Sequence, residues 1–281
     1  MKHTHILPLL LLLLSCAEDP ITPAASSLVV EGYIEDGGRP VVMVTKSMPI
    51  TTKKQNLNDL EKYLVRWAKV SVINERDTVV LTGRYDKGYF PPYIYTTARM
   101  RGQAGGTYKL LVEYDGTVAC ATTTITAPPR VEGFKVEKCL DSDTLYQIKA
   151  VMAAEEGKAS NYQFFSRVGS TTKQFSASFL GGYNDSITSG IYEVPVYRGR
   201  TFTAEDYTPY FSVNDTVAVK CCRLDDVEHD FWKAYMASTF LANGAMLSVS
   251  NNLPSNIVGG TGYWFGYGST TSYFIIKDSV R

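Results

Sequence analysis

From Leu28 to Ala127 the chain is a succession of short β-type runs, cut at regular intervals by turn chemistry and interrupted by no long helical period. Leu28-Val29-Val30-Glu31-Gly32-Tyr33-Ile34, the turn Glu35 to Arg39 and the run Pro40 to Thr45 form one hairpin signal. Lys69 to Asn74 and Thr78 to Thr82 form a second around Glu75-Arg76-Asp77. The clearest joins Thr107–Tyr114 to Thr117–Thr126 through Asp115-Gly116, because a two-residue type I′ turn needs positive φ at both positions and Asp-Gly supplies it. Between the first two hairpins, Leu57, Leu60, Tyr63, Leu64 and Trp67 suggest a brief helical turn or a covering loop. About seven strands of this kind predict an immunoglobulin-like β-sandwich over residues 28–127.

Ala127-Pro128-Pro129-Arg130 then places two residues that cannot donate to a ladder in succession, which marks a domain boundary at 128. Beyond it the strand candidates are Phe134–Leu140, Thr144–Ala153, Tyr162–Val168, Lys173–Phe179, Tyr210–Val213 and Thr216–Leu224. The period changes once. Phe231, Trp232, Tyr235, Met236, Thr239 and Phe240 recur at helical spacing, Asp225 or Asp226 caps the start and Asn243-Gly244 ends it, so one helix is expected near 226–243. Ile257-Val258 and Tyr273–Ile276 read as closing strands joined through the glycine-rich run 259–268. The fold class is therefore all-β, mainly strand with one helix in the C-terminal half: an immunoglobulin-like sandwich followed by a second β-rich domain, 128–281. A hydrophobic share of 44% gives ample core, and 19 Tyr against 3 Trp leans toward strands.

Charge names no partner. The 28 basic and 28 acidic residues balance, so nothing in the total attracts nucleic acid or an anionic membrane, and no nucleic-acid partner is expected. Catalytic chemistry is scarce. A Ser or Cys nucleophile needs a base held by a third group, and past residue 15 the one imidazole is His229, between Glu228 and Asp230, best read as a residue of the helix start. Paired carboxylates such as Asp225 and Asp226 need no linear motif, but no enzyme is expected. No Cys-x-x-Cys pair and no multi-histidine site points to zinc, and no cofactor is expected. Asp141-Ser142-Asp143 and Asn184-Asp185-Ser186 suit turns better than a calcium loop. Gly259-Gly260-Thr261-Gly262-Tyr263-Trp264-Phe265-Gly266 lacks the spacing and the Lys-Ser/Thr of a phosphate loop, and its aromatics are better read as core at a glycine-kinked strand than as a stacking platform.

Cys221 and Cys222 are neighbours in a strand and point to opposite faces, so both cannot meet one partner. One disulfide inside the second domain, Cys139 with Cys221 or Cys222 and Cys139–Cys222 as the expected pair, stands beside the alternative of buried free thiols. Tyr89-Phe90-Pro91-Pro92-Tyr93-Ile94-Tyr95 reads as an aromatic loop, and Tyr89, Phe90, Tyr93 and Tyr95 are its candidate ligand or partner contacts.

Met1 to Ser15 carry one positive charge at Lys2 and an apolar run from Ile6 to Leu14, the form of a secretory leader. Nine apolar residues span about 14 Å as a helix against a hydrocarbon core of about 30 Å, which excludes a spanning anchor. Leu13-Leu14-Ser15-Cys16 resembles the lipobox of bacterial lipoproteins, which implies acylation at Cys16 and attachment to the outer membrane through those acyl chains. Residues 16–27 then form the lipidated tether, and Ala17-Glu18-Asp19 resembles the acidic signal of lipoproteins that face the cell exterior. Asp followed by Thr or Ser and an aliphatic residue recurs, with hydroxyls at Thr78, Thr144, Ser186, Thr216 and Ser279, and resembles the O-glycosylation acceptor of exported Bacteroidota proteins; a turn-forming Asp before a strand gives the same pattern with no glycan.

With the lipobox, the first hairpin, Gly106-Thr107-Tyr108-Lys109-Leu110 and Asn256-Ile257-Val258-Gly259-Gly260-Thr261-Gly262-Tyr263-Trp264 taken together, the chain resembles a family of Bacteroidota lipoproteins, domain of unknown function 4249. Members are commonly encoded beside TonB-dependent receptors. The resemblance implies a surface-exposed, non-enzymatic accessory subunit of a TonB-dependent β-barrel transporter, in cargo capture or gating; a free-standing glycan- or peptide-binding lipoprotein is the alternative.

Overall fold

The computed structural model describes residues 27–47, 61–155, 159–199, 207–241 and 253–278. The first part of the chain forms β1 (Leu28–Glu35), β2 (Val41–Lys46), β3 (Lys69–Ile73), β4 (Thr78–Val80), β5 (Thr82–Tyr85), β6 (Tyr93–Thr96), β7 (Thr107–Tyr114) and β8 (Thr117–Thr124). The expected hairpins are present: β1 pairs antiparallel with β2, β3 with β4, and β7 with β8. Asp115 and Gly116 both have positive φ (50° and 74°), as a type I′ turn demands. Asn74 closes the β3–β4 turn, its Oδ1 accepting from the Arg76 and Asp77 amides at 2.9 and 2.7 Å. A 3-10 turn at Glu61–Tyr63 stands where a brief helical turn was expected, while Leu57 and Leu60 lie outside the described residues.

After the Pro128-Pro129 crossing come β9 (Val131–Lys138), β10 (Leu145–Ala153), β11 (Asn161–Val168), β12 (Ser176–Asn184), β13 (Ile191–Val196), β14 (Phe211–Ser212), β15 (Thr216–Leu224), α1 (Asp226–Leu241) and β16 (Thr261–Ile275). Helix α1 starts in a capping box. The Asp225 carboxylate accepts from the Glu228 amide at 2.8 Å, and the Glu228 carboxylate accepts from the Asp225 amide at 3.1 Å.

Three sheets result. The largest has eight strands in the order β12-β11-β15-β16-β1-β2-β6-β5. One half of it is covered by β4-β3-β7-β8, and between them lie Val30, Ile34, Val70, Val72, Leu110, Val112 and Trp264. The other half is covered by a sheet centred on β10, with β9 on one edge and β13 and β14 on the other; Ile148, Met152, Phe164, Val219 and Cys221 fill that core. The molecule is all-β, two sandwiches that share one sheet.

The shared sheet corrects the expected domain boundary. The glycine-rich run is not a connector between two closing strands but the first half of β16, a single 15-residue strand. Thr261 to Tyr267 pair in parallel with β1, and Gly268 to Ile275 pair antiparallel with β15. The chain therefore returns at its far end to complete the first sandwich, and Ile257 and Trp264 sit in the first core although they follow residue 128 by more than a hundred positions. Alternation along β16 does the joining: Trp264 and Phe274 point toward the two covering sheets, while Tyr263, Phe265 and Tyr267 point the opposite way. Glycine is needed where another stretch of backbone comes close, in the neighbouring strand β1 or in the segment that follows β8. Gly262 has φ 112°, and a Cβ there would run into the Val30 carbonyl; one at Gly268 would meet the Thr126 carbonyl.

The opposite face of the shared sheet is a different environment. Tyr263, Phe265 and Tyr267 meet Phe231, Trp232 and Tyr235 of α1, and the Trp232 indole N–H donates to the Tyr267 hydroxyl at 3.0 Å. The free edge of β16 beyond the end of β15 is finished by side chains. Asn256 bonds both the amide and the carbonyl of Trp264 (2.9 and 2.8 Å), and the Glu228 carboxylate accepts the Gly266 amide at 3.0 Å.

Candidate functional site

Where α1 stops covering that face, a cleft of about 370 Å³ opens across the seam between the two sandwiches. Its floor is apolar: Val41 of β2 and Ile94 of β6 are buried there, with Tyr33 and Tyr89 packed against them. The β1 pattern builds this directly. Leu28, Val30 and Ile34 enter the first core, so the alternate residues Glu31, Tyr33 and Glu35 face the seam. Burial, with the Tyr89 hydroxyl and Glu35 adding to it, pushes the Tyr33 phenol well above its ordinary value.

The far wall comes from the other sandwich. Lys220 lies in the middle of β15 and is buried; its ammonium pairs with Glu35 and sits 4.3 Å from the centre of the Phe175 ring. Glu35 also accepts from the Ser269 hydroxyl at 3.2 Å. Arg167 stacks on the same Phe175 ring at 5.0 Å, so that ring is occupied by two cations.

One end of the cleft is strapped. The loop after β5 meets the loop before β12: the Lys173 and Gln174 amides donate to the Gly88 carbonyl (2.8 and 3.1 Å), and the Phe90 amide donates to the Gln174 side chain at 2.8 Å. Asp86 holds Lys173 at 2.9 Å and Arg84 at 3.2 Å. The Lys173 ammonium, then the Gly88 amide and Arg84, hold the Asp86 carboxyl below its ordinary value of 3.8 despite its partial desolvation.

Arg39 and Arg101 complete the rim. Arg101 donates to the Gly37 carbonyl at 2.6 Å, and among the described residues neither arginine forms an ion pair. Arg39, Arg84, Arg101, Lys173 and Lys220 thus stand against only Glu35 and Asp86, a local excess of three positive charges in a chain whose total is balanced.

The four aromatics expected to act together are divided by the pleat of β6. Tyr89 lines the cleft. Tyr95 is buried in the first core, its hydroxyl donating to the Val65 carbonyl at 2.7 Å and accepting from the Ala68 amide at 3.0 Å, and Tyr93 packs edge-on against it with its hydroxyl on the Arg66 carbonyl. Phe90 is half-buried in the strap. What was expected to be a loop is in part a strand, and strand alternation sends Tyr93 and Tyr95 away from the cleft.

The expected Cys139–Cys222 disulfide is not formed: Cys120, Cys139, Cys221 and Cys222 are free. Cys221 faces the second core and Cys222 the α1 side, on opposite faces as neighbours in a strand must be. Cys139 follows β9, in the layer that covers the other face of the shared sheet from Cys222, so that sheet lies between the two thiols. The hydroxyls of Thr78, Thr144, Ser186 and Thr216 belong to exposed residues. The preceding aspartates act in turns: Asp185 accepts from the Ser160 amide (2.6 Å) and the Tyr162 hydroxyl (3.1 Å), and Asp215 from the Ser212 amide (2.8 Å). Ser142 likewise closes its turn by accepting from the Thr144 and Leu145 amides. No group of three metal-ligating side chains occurs among the described residues. His229 lies in the first turn of α1, its amide donating to the Asp225 carbonyl. Cys16 and Ser279 are outside the described residues.

The cleft residues come from seven separate stretches of sequence, which no linear motif unites. One local signal was available to find them: a lysine at 220 inside the otherwise apolar run Val217–Cys222, where an unpaired charge would be costly to bury.

A family model for a domain of unknown function, DUF4249, matches residues 18–273, which takes in both sandwiches and nearly all of β16. The chain belongs to this family. None of the curated proteins compared matches it. The DUF4249 match begins just after Cys16 and runs through the seam, so the strands that build the cleft are all part of the family domain.

Proposed function

We propose that this DUF4249 protein is a lipid-anchored, outward-facing lipoprotein of the outer membrane that binds a small ligand in the seam cleft as a non-enzymatic accessory subunit of a TonB-dependent transporter. The observation that carries the binding reading is the cleft itself: its volume falls within the range of small-molecule sites, and its apolar floor under a ring of polar groups is the usual composition of one. Anchoring rests on the leader and the lipobox-like Cys16. The transporter partner rests on what the family resemblance implies.

The test is affinity purification of tagged, full-length protein from mild-detergent extracts of its native outer membrane, with mass spectrometry of what co-purifies. A stoichiometric β-barrel receptor supports the accessory role. Its absence favours the free-standing binder, a reading to which Tyr89 in the cleft lends its own support. Surface proteolysis of intact cells tests the address: protection from added protease would overturn an outward-facing position.

A further inference from the structure

We infer that the seam cleft takes a small ring-bearing anion, a molecule with a carboxylate or phosphate group on a compact cyclic body. The inference deepens the binding reading above and is independent of the transporter. It starts from the sorting of charge within the cleft. Glu35 is committed to Lys220 and the Ser269 hydroxyl, and Asp86 to Lys173 and Arg84. Arg39 and Arg101 are left on the rim without a carboxylate partner among the described residues, and Lys220 has its ring contact fixed by Phe175. A cleft that holds one sign of charge beside low-dielectric walls concentrates counter-charged solutes.

The kind of cation narrows the group that binds. Two guanidinium forks present planar paired donors, which match the oxygens of carboxylate and phosphate better than those of chloride or a neutral hydroxyl. The floor narrows the body that carries the group. Tyr33 and Tyr89, half-buried over Val41 and Ile94, offer an aromatic surface beneath the arginines, while Phe175 is already covered by Lys220 and Arg167. A volume of about 370 Å³ limits the occupant to one or two rings.

Isothermal titration of the full-length protein with glucuronate, glucose 6-phosphate, inorganic phosphate and glucose tests this. Binding of glucuronate or glucose 6-phosphate at least tenfold tighter than glucose, weakened by raising NaCl, is the expected result. R39A and R101A should each weaken the charged sugars at least tenfold, R39K should recover part of the R39A loss, and Y89A should weaken the charged sugars but not inorganic phosphate. Circular dichroism and the thermal midpoint, unchanged in R39A because Arg39 is exposed, separate lost binding from lost fold. No binding by either charged sugar at millimolar concentration, glucose binding as tightly as they do, or full binding by R39A and R101A would each overturn the inference. Failure to recover a receptor leaves it standing, and failure of these titrations leaves a recovered receptor standing.

Discussion

The two faces of the shared sheet solve different problems. On one face Trp264 and Val30 are sealed under one covering sheet and Phe274 and Val219 under the other, with Gly266 and Gly268 admitting the close approach of the segment around Thr123–Ala127. On the other, Tyr267, Lys220 and Glu228 are buried with polar partners, Glu35 is half-buried between Lys220 and Ser269, and the cover stops short to leave the cleft. The first face uses volume and therefore fixes the fold; the second uses paired polar groups and therefore leaves chemistry accessible. The same strand, β16, serves both by the alternation of its side chains.

Substitutions on the sealed face should be the costlier. W264A removes a fully buried side chain and its indole bond to the Tyr108 carbonyl (2.9 Å), and should lower stability by about 3–5 kcal/mol in denaturant unfolding. G262A places a Cβ against the Val30 carbonyl at a backbone angle foreign to alanine, at a cost of about 2–3 kcal/mol by the same measurement. If either is neutral, the sealed face is not what holds the shared sheet.

On the open face the effects should be smaller and pH-dependent. E228A leaves the Gly266 and Asp225 amides without their acceptor and should cost about 1–2 kcal/mol, with E228Q closer to wild type. Burial, and after it the Asp225 charge, raises the Glu228 carboxyl well above its ordinary 4.5. The folded state therefore holds this proton more tightly than the unfolded chain, so the contribution is complete below the ordinary value and is lost as pH rises through the folded one. Thermal melts across that interval should fall for wild type and stay flatter for E228Q. Asp86 has the opposite sign: its lowered pKa stabilises above the ordinary 3.8 and is lost as pH falls through the folded value. D86N should cost less than about 1 kcal/mol, and its clearer signature is faster amide exchange at Lys173 and Gln174, which share the strap.

Much of the sealed face was legible because local chemistry specifies it. Asp115-Gly116 determines a hairpin, the alternation Leu28, Val30, Gly32, Ile34 determines which side of β1 is inside, and Asp225 with Glu228 marks the helix start. The shared sheet was hidden because a parallel pairing between β1 and β16 leaves no turn between them to read, and because glycines at 262, 266 and 268 look like a connector until the close approach they permit is seen. The aromatic run misled for a related reason: Pro91 and Pro92 suggest a loop, while Tyr93–Thr96 is a strand whose alternation sends its tyrosines into the core. Cleft residues carried almost no linear signal, since Arg39, Arg101, Lys173 and Lys220 meet only when both sandwiches are complete.

The parallel pairing of Val29 with Thr261 also constrains how the molecule comes into being. A ribosome emits β1 early and β16 late, so the neighbour that closes the first strand's exposed edge is synthesised after almost everything else. Until then that edge has unpaired amides and carbonyls, a template for pairing with another copy. Pairings so far apart in sequence also fold slowly, so the interval of exposure is long. A nascent chain stalled before residue 261 would carry an unfinished first sandwich beside a second one lacking its Phe274 and Ile276, and a holding chaperone would find open strand edges at both β1 and β15.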